Sequence, residues 1–249
     1  MLVSVTYSAR DWHMAKLTQP SALGLRRIAL LEGLPDERLQ ALADRCTWRR
    51  YEPEQRIVAW NAQDSDLHLI VSGKVRITIY SAAGRQVTFN DEVSGGAFGY
   101  LSAIDGKPRS ADAVALDSVL IASISREVFR EVIQQEPLVR ERLLIQLTGL
   151  IRQLSDRVID LSTLGVQNRV HAEVLRLARE AGVVANSARI EPAPKHADIA
   201  SRVSTYREQV TRELSALTRV GVLHKDAGAL VVRDVGRLER MVKEVRDAA

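Results

Sequence analysis

The chain has 249 residues, of which 46% are hydrophobic and 27% charged. These are the proportions of a folded globular protein and exclude a mainly disordered or collagen-like chain. A single cysteine, Cys46, excludes an intrachain disulfide and any iron–sulfur cluster or multi-cysteine zinc site built within the chain. The net charge of +4 lies entirely in the last third. Residues 1–168 carry 20 basic and 20 acidic side chains, and residues 169–249 carry 15 and 11. A basic module on a neutral body suits a polyanionic partner.

Residues 1–25 show no period and read as an extension, in which either Met1 or Met14 could be the start. The opening MLVSVTYSARDWHM lacks the apolar core of a signal peptide, and no apolar run approaches the ~20 residues of a membrane span. With no call for an oxidising compartment, the expected location is the cytoplasm, with no membrane partner. Residues 26–43 read as two short helical pieces broken at Gly33-Leu34-Pro35.

Short β-branched runs then recur at 56–60, 67–71, 75–80, 86–89, 111–115 and 119–124. Turn signals separate them, among them Ser72-Gly73, Ala83-Gly84, Ser94-Gly95-Gly96 and Asp105-Gly106. In 75–80, Val75, Ile77 and Ile79 alternate with Arg76, Thr78 and Tyr80. Many short strands at regular spacing predict an antiparallel roll or barrel.

From Arg126 the period becomes helical, with Ser125 placed to cap. Pro137 opens a long helix running to about Gly165. Leu143, Leu147, Leu150, Leu154, Leu161 and Leu164 give it a narrow apolar row interrupted by Arg157. Such a row predicts a two-stranded coiled coil between copies of the chain. A single helix lying on its own domain is the alternative.

After Gly165, residues 167–181 form an amphipathic helix stopped by Gly182, and 186–194 read as a loop. Residues 196–217, HADIASRVSTYREQVTRELSAL, carry two helical apolar patterns, Ile199/Val203 and Val210/Leu214/Leu217, joined by Ser204-Thr205-Tyr206. That is helix–turn–helix spacing, in which the second helix enters the major groove of DNA. Thr205 and Glu208 spell a capping box. Arg207, Glu208 and Arg212 would then face base edges: guanine O6/N7 for the arginines, cytosine N4 for the glutamate. Lys195, Tyr206, Gln209 and Lys225 are candidate phosphate contacts. Residues 221–233 read as a hairpin wing turning near Asp226–Ala229.

These motifs in this order resemble the CRP/FNR family of transcription regulators over almost all of the chain after residue 25. The matching segments are Phe98-Gly99, Asp105-Gly106-Lys107-Pro108-Arg109-Ser110-Ala111, Ile199-Ala200 and Arg207-Glu208 through Arg212-Glu213-Leu214. The resemblance implies an α+β architecture. A cyclic-nucleotide-binding-type roll would span 26–136, a dimerisation helix 137–165 and a winged helix–turn–helix 166–249. It implies a homodimer on double-stranded DNA with a TGTGA-like palindrome, RNA polymerase as a further partner, and no enzyme activity. No G-x-x-x-x-G-K, H-E-x-x-H or nucleophile-elbow pattern argues for an enzyme.

The resemblance also implies a ligand pocket at Gly99, Tyr100, Arg109, Ser110 and Ser155, with a cyclic nucleotide as the candidate ligand. There the family's acidic residue after the cassette glycine is replaced by Tyr100, and of its Thr-Ser pair, which falls at Leu154-Ser155, only the serine remains. A phenol offers one hydrogen bond but no carboxylate, so the nucleotide site is expected to be altered. The competing reading is a cyclic-nucleotide-dependent regulator, or a nucleotide-binding regulatory protein with no DNA role. His68 is a lone histidine in strand-like sequence, more in keeping with structure than with a haem ligand.

Overall fold

The computed structural model describes residues 21–81 and 86–246. Met1, Met14 and the expected turn at Ala83-Gly84 lie outside the described residues. The chain divides into two compact units, one of residues 1–77 with 91–143 and the other of 78–90 with 144–249.

The first unit begins with α1 (Ala22–Leu25), a 3-10 turn (Ala29–Leu31) and α2 (Asp36–Ala43). Leu25 is fully buried, so the folded body starts earlier than the expected boundary after residue 25. Strands β1 (Thr47–Tyr51), β2 (Arg56–Val58), β3 (Leu67–Ser72), β4 (Lys74–Tyr80), β5 (Gln86–Val93), β6 (Ala97–Phe98), β7 (Asp112–Ala115) and β8 (Val119–Ile124) follow, with α3 (Tyr100–Asp105) between β6 and β7. They form two four-stranded sheets, ordered β1-β8-β3-β6 and β2-β7-β4-β5. Central β8 pairs antiparallel with β1 (Trp48 opposite Ala122) and with β3 (Leu69 opposite Ala122).

Val58, Ile70, Val75, Phe98, Val119 and Ile121 pack inside the roll. The alternation read in β4 holds for Val75, but Arg76 and Thr78 are buried as well. Each is satisfied by β5: Arg76 makes a two-pronged bond to Asp91 (2.8 and 3.0 Å), and Thr78 Oγ1 donates to Val87 O (2.9 Å). A buried guanidinium is tolerable only with such a partner.

Ser125 caps α4 (Arg126–Gln135), its hydroxyl accepting from Val128 N at 3.3 Å. Helix α5 (Pro137–Thr163) then runs for 27 residues. In the second unit stand α6 (Val166–Ala181), β9 (Val183–Val184), β10 (Ser187–Ile190), α7 (His196–Arg202), α8 (Arg207–Arg219), β11 (Leu223–Asp226), β12 (Ala229–Val232) and α9 (Val235–Arg246). Its sheet is ordered β11-β12-β10-β9. The segment 186–194, expected as a loop, thus contributes β10, whose Ala188 and Ile190 are buried. Val170, Val174, Ile199, Val210, Leu214, Leu217, Val232 and Leu238 close the core.

Phe129 of α4 is among the largest fully buried side chains. Phe129→Ala should destabilise the chain by about 3–5 kcal/mol, read as a lower denaturation midpoint at unchanged slope.

Candidate nucleic-acid interface and effector pocket

The helix–turn–helix is built from its buried side outward. Ile199, Ala200 and Val203 of the first helix meet Val210, Leu214 and Leu217 of the second in one core. Small Ala200 allows the close approach, and its carbonyl accepts from Thr205 N at 3.0 Å to close the turn. Ser204 takes a left-handed φ of 54° at the corner.

Helix α8 begins at Arg207 with extended Tyr206 as its N-cap, and no side chain caps it. The expected capping box therefore does not form. Thr205 lies one residue before the cap and is buried, and Glu208 falls one position too early in the helix to complete the box. Glu208 remains favourable at the positive end of α8, and its side chain is exposed.

Arg207, Glu208 and Arg212 are all exposed on the first two turns of α8, opposite its buried row. Arg212 Nη2 donates to Gln209 Oε1, and Gln209 Nε2 donates to Glu213 Oε1 at 2.9 Å. Gln209 is thus half-buried and holds the Arg212 head in place. Exposed Lys195 is the N-cap residue of α7, exposed Lys225 lies on β11, and Tyr206 is 69% exposed. His196 Nδ1 donates to Thr211 Oγ1 (2.7 Å), whose own proton goes to Arg207 O (3.0 Å). Partial burial, then the charges of Lys225 and Arg207, hold the His196 imidazole below its usual range. The wing turns through Ala227 and Gly228, both at positive φ.

On α5 the register of the apolar row differs from the expected one. Leu143, in the second turn of α5, and Leu164, just past its last residue, are buried within the chain itself, and Leu147 and Leu150 are half-buried. Leu144, Ile151, Leu154, Val158 and Leu161 are exposed. With Leu147 they repeat at intervals of 3, 4, 3, 4 and 3, the seam a coiled coil requires. Arg157 lies off this seam, with Nη1 donating to Thr88 O (2.7 Å) and Nη2 to Arg202 O (2.9 Å). Ser155, expected in the ligand pocket, returns its hydroxyl to Ile151 O at 2.9 Å within α5.

In the roll, Gly99 and Arg109 meet. The Arg109 guanidinium is almost wholly buried. Its Nε donates to Asp64 Oδ1 (2.9 Å), Nη2 to the same oxygen and to Asp66 O (2.8 Å), and Nη1 to Gly99 O (3.4 Å). Nη2 also lies 3.1 Å from His68 Nε2. Arginine only donates, so Nε2 accepts and the proton of His68 sits on Nδ1, directed to Ser123 Oγ at 2.8 Å. Burial, reinforced by the Arg109 charge, lowers the His68 pKa to about 3. His68 is therefore neutral and structural.

Ser110, next to Arg109 in the chain, is exposed, while Tyr100 is half-buried, its phenol pushed up by burial and by Glu92. These residues fit a cyclic nucleotide poorly. No carboxylate stands at position 100 for a ribose hydroxyl, and the cation for its phosphate is already paired. Sequence reasoning missed Asp64, which lies 45 residues from Arg109 and has no motif of its own. Cys46 donates its thiol to Leu42 O (3.2 Å), and burial pushes its pKa up to about 12. Among the described residues no helix is long and apolar enough to cross a membrane, and no three His, Cys, Asp or Glu side chains are grouped to hold a metal.

A cyclic-nucleotide-binding-type roll followed by a helix–turn–helix defines a class of DNA-binding regulators. Residues 48–136 match the cyclic nucleotide-binding domain, and residues 168–241 match the Crp-like helix-turn-helix domain. The chain is 30% identical to the cyclic AMP receptor protein of Thermus thermophilus over 85% of its own length and 95% of that protein's. It is 26% identical to the CRP-like cAMP-activated global transcriptional regulator of Mycobacterium tuberculosis, over 88% and 98%. A CooA mutant from Carboxydothermus hydrogenoformans shares the fold, with a TM-score of 0.74 at 17% identity, covering 91% and 98% of the two chains. The chain belongs to the CRP/FNR family and is a DNA-binding transcription regulator.

Two outcomes follow for the roll. Gly99 has φ +91°, and a Cβ there would sit 2.5 Å from Arg109 Nη1 and 2.9 Å from Asp66 O. Gly99→Ala should cost about 1–3 kcal/mol or more, seen as a lower melting temperature. His68 refuses a proton when folded down to about pH 3, whereas the unfolded imidazole takes one near 6.5. Stability is therefore fully present above about pH 6.5 and falls as pH drops towards 3. Melting of His68→Gln against pH should show a shallower acid-side decline than wild type.

Proposed function

We propose that the protein is a homodimer that reads a TGTGA-like palindrome in double-stranded DNA. Two copies pair along the exposed seam of α5, setting two α8 helices into successive major grooves about 34 Å apart. Arg207 and Arg212 present guanidinium forks to guanine O6/N7, and Glu208 accepts from cytosine N4. Lys195, Tyr206, Gln209 and Lys225 hold phosphates and set the register without reading sequence. RNA polymerase is a further partner, and the setting is the cytoplasm. The reading rests above all on one observation. Arg207, Glu208 and Arg212 stand exposed on the first two turns of a helix whose opposite face is locked into the core.

We assign the roll an altered sensor role, with DNA binding that needs no cyclic nucleotide. A second reading, control by a cyclic nucleotide, draws support from Arg109 and Ser110 in the cassette and from the matched domain over 48–136. Gel shifts on an inverted-repeat duplex, with and without cyclic AMP and cyclic GMP, separate the two. Binding that appears only with nucleotide selects the second.

Arg207→Ala and Arg212→Ala should each lose about 1–3 kcal/mol of discrimination at one base pair. Lys195→Ala should weaken all sequences alike and reduce the salt slope by about one. Selection of a TTGAT half-site instead would contradict the assignment. Ile151→Glu with Val158→Glu should give monomers in sedimentation and abolish binding to the palindrome.

A further inference from the structure

We infer that Asp64 is a built-in anion that occupies the phosphate seat of Arg109 and determines that the roll refuses cyclic nucleotides. The inference deepens the altered-sensor reading above and rests on it.

A guanidinium has five N–H donors, and its strongest grip on an oxyanion is a two-pronged one along one edge. In Arg109 the Nε–Nη2 edge is the edge taken by Asp64. The remaining Nη2 capacity goes to Asp66 O and His68 Nε2, and one Nη1 proton goes to Gly99 O. An incoming phosphate therefore finds at most one uncommitted N–H.

The members of the cage differ in how replaceable they are. The Gly99 and Asp66 carbonyls are backbone. His68 is buried and is itself held by Ser123. The Asp66 carboxyl also feels the Arg109 charge, but Asp64 is the carboxylate that hydrogen-bonds the guanidinium, and its side chain is 47% exposed against 3% for Arg109. Its exposure places it on the solvent side of the buried guanidinium. A phosphodiester would have to displace a carboxylate of the same charge and leave it beside the bound phosphate, which like-charge repulsion disfavours. The guanidinium is buried and must keep an anionic partner, and Asp64 supplies it in every molecule at every ligand concentration. The vacated seat would suit a singly charged phosphodiester, and exposed Ser110, next to Arg109 in the chain, is the candidate second donor.

The test is calorimetric titration of the full chain with cyclic AMP and, separately, with inorganic phosphate. The proteins are wild type, Asp64→Ala, Asp64→Asn and Asp64→Ala/Ser110→Ala. Wild type should give no heat of binding to about 1 mM ligand. Both single variants should bind cyclic AMP at least about tenfold more tightly than wild type does, and the added Ser110→Ala should reverse part of that gain. Phosphate binding without cyclic AMP binding would support the vacated seat but overturn the assignment of Asp64 as the residue that excludes nucleotides. If Asp64→Ala does not fold, the near-isosteric Asp64→Asn decides.

Tight cyclic AMP binding by wild type, unchanged in the variants, would overturn the inference. So would two folded variants, with wild-type circular dichroism and melting, that bind neither anion. Gel shifts of wild type on the palindrome run in parallel. Intact nucleotide-free DNA binding with no gain in the variants removes only the role of Asp64. Absent DNA binding removes the reading beneath it.

Discussion

The outward face of α8 depends on its inward one. Val210, Leu214 and Leu217 are almost fully buried against Ile199, Ala200 and Val203. A fully buried aliphatic side chain is worth about 1.5–3 kcal/mol, so three of them fix the rotation of the helix about its axis. That rotation decides which side chains meet solvent. Turning α8 by one residue would bury Arg207 or Glu208 without a partner, at a cost no surface contact could repay. The exposed face proposed to read DNA is thus a by-product of core packing, and it is rigid for that reason. Gln209 extends the effect one step outward by holding the Arg212 head from within the helix.

Helix α5 divides its labour along its length. Its ends are spent within the chain through Leu143 and Leu164, and Arg157 binds two backbone carbonyls. What remains is a continuous apolar seam from Leu144 to Leu161. A seam of this length exposed on a monomer would be a liability, and in the homodimer we propose a second copy of the same helix would cover it with matching geometry. In that proposal the same pairing would set the distance between two α8 helices, so the half-site spacing on DNA would follow from packing far from the DNA itself.

Much of this was legible in the sequence because it rests on local periodicity. The long helix, the helix pair at 196–217, the wing and six of the roll strands follow from periods of 3.6 and 2 and from turn residues. What escaped has identifiable causes. Strand β1 is an edge strand whose Arg49 and Arg50 point to solvent, so no alternation marks it. Strand β10 is a four-residue partner of β12 behind a turn at Ala185-Asn186, which lacks the usual Asn-Gly signal. The capping box failed by one residue because Ser204 turns the chain early. Of the leucines expected in the α5 row, Leu143 and Leu164 are buried within the chain itself, which a leucine count cannot tell. The Asp64–Arg109 pair is purely tertiary. The resemblance supplied Arg109, and only the fold supplied its partner.

The central claim is that two α8 helices enter successive major grooves and read guanine edges. Dimethyl sulfate footprinting tests it directly, since methylation reports on guanine N7 in the major groove. The account predicts protection of guanine N7 in two symmetric half-sites centred about one helical turn apart, with protection at one guanine of each half-site lost when Arg207 or Arg212 is removed. Protection confined to a single half-site, or binding that leaves every guanine N7 reactive, would contradict it.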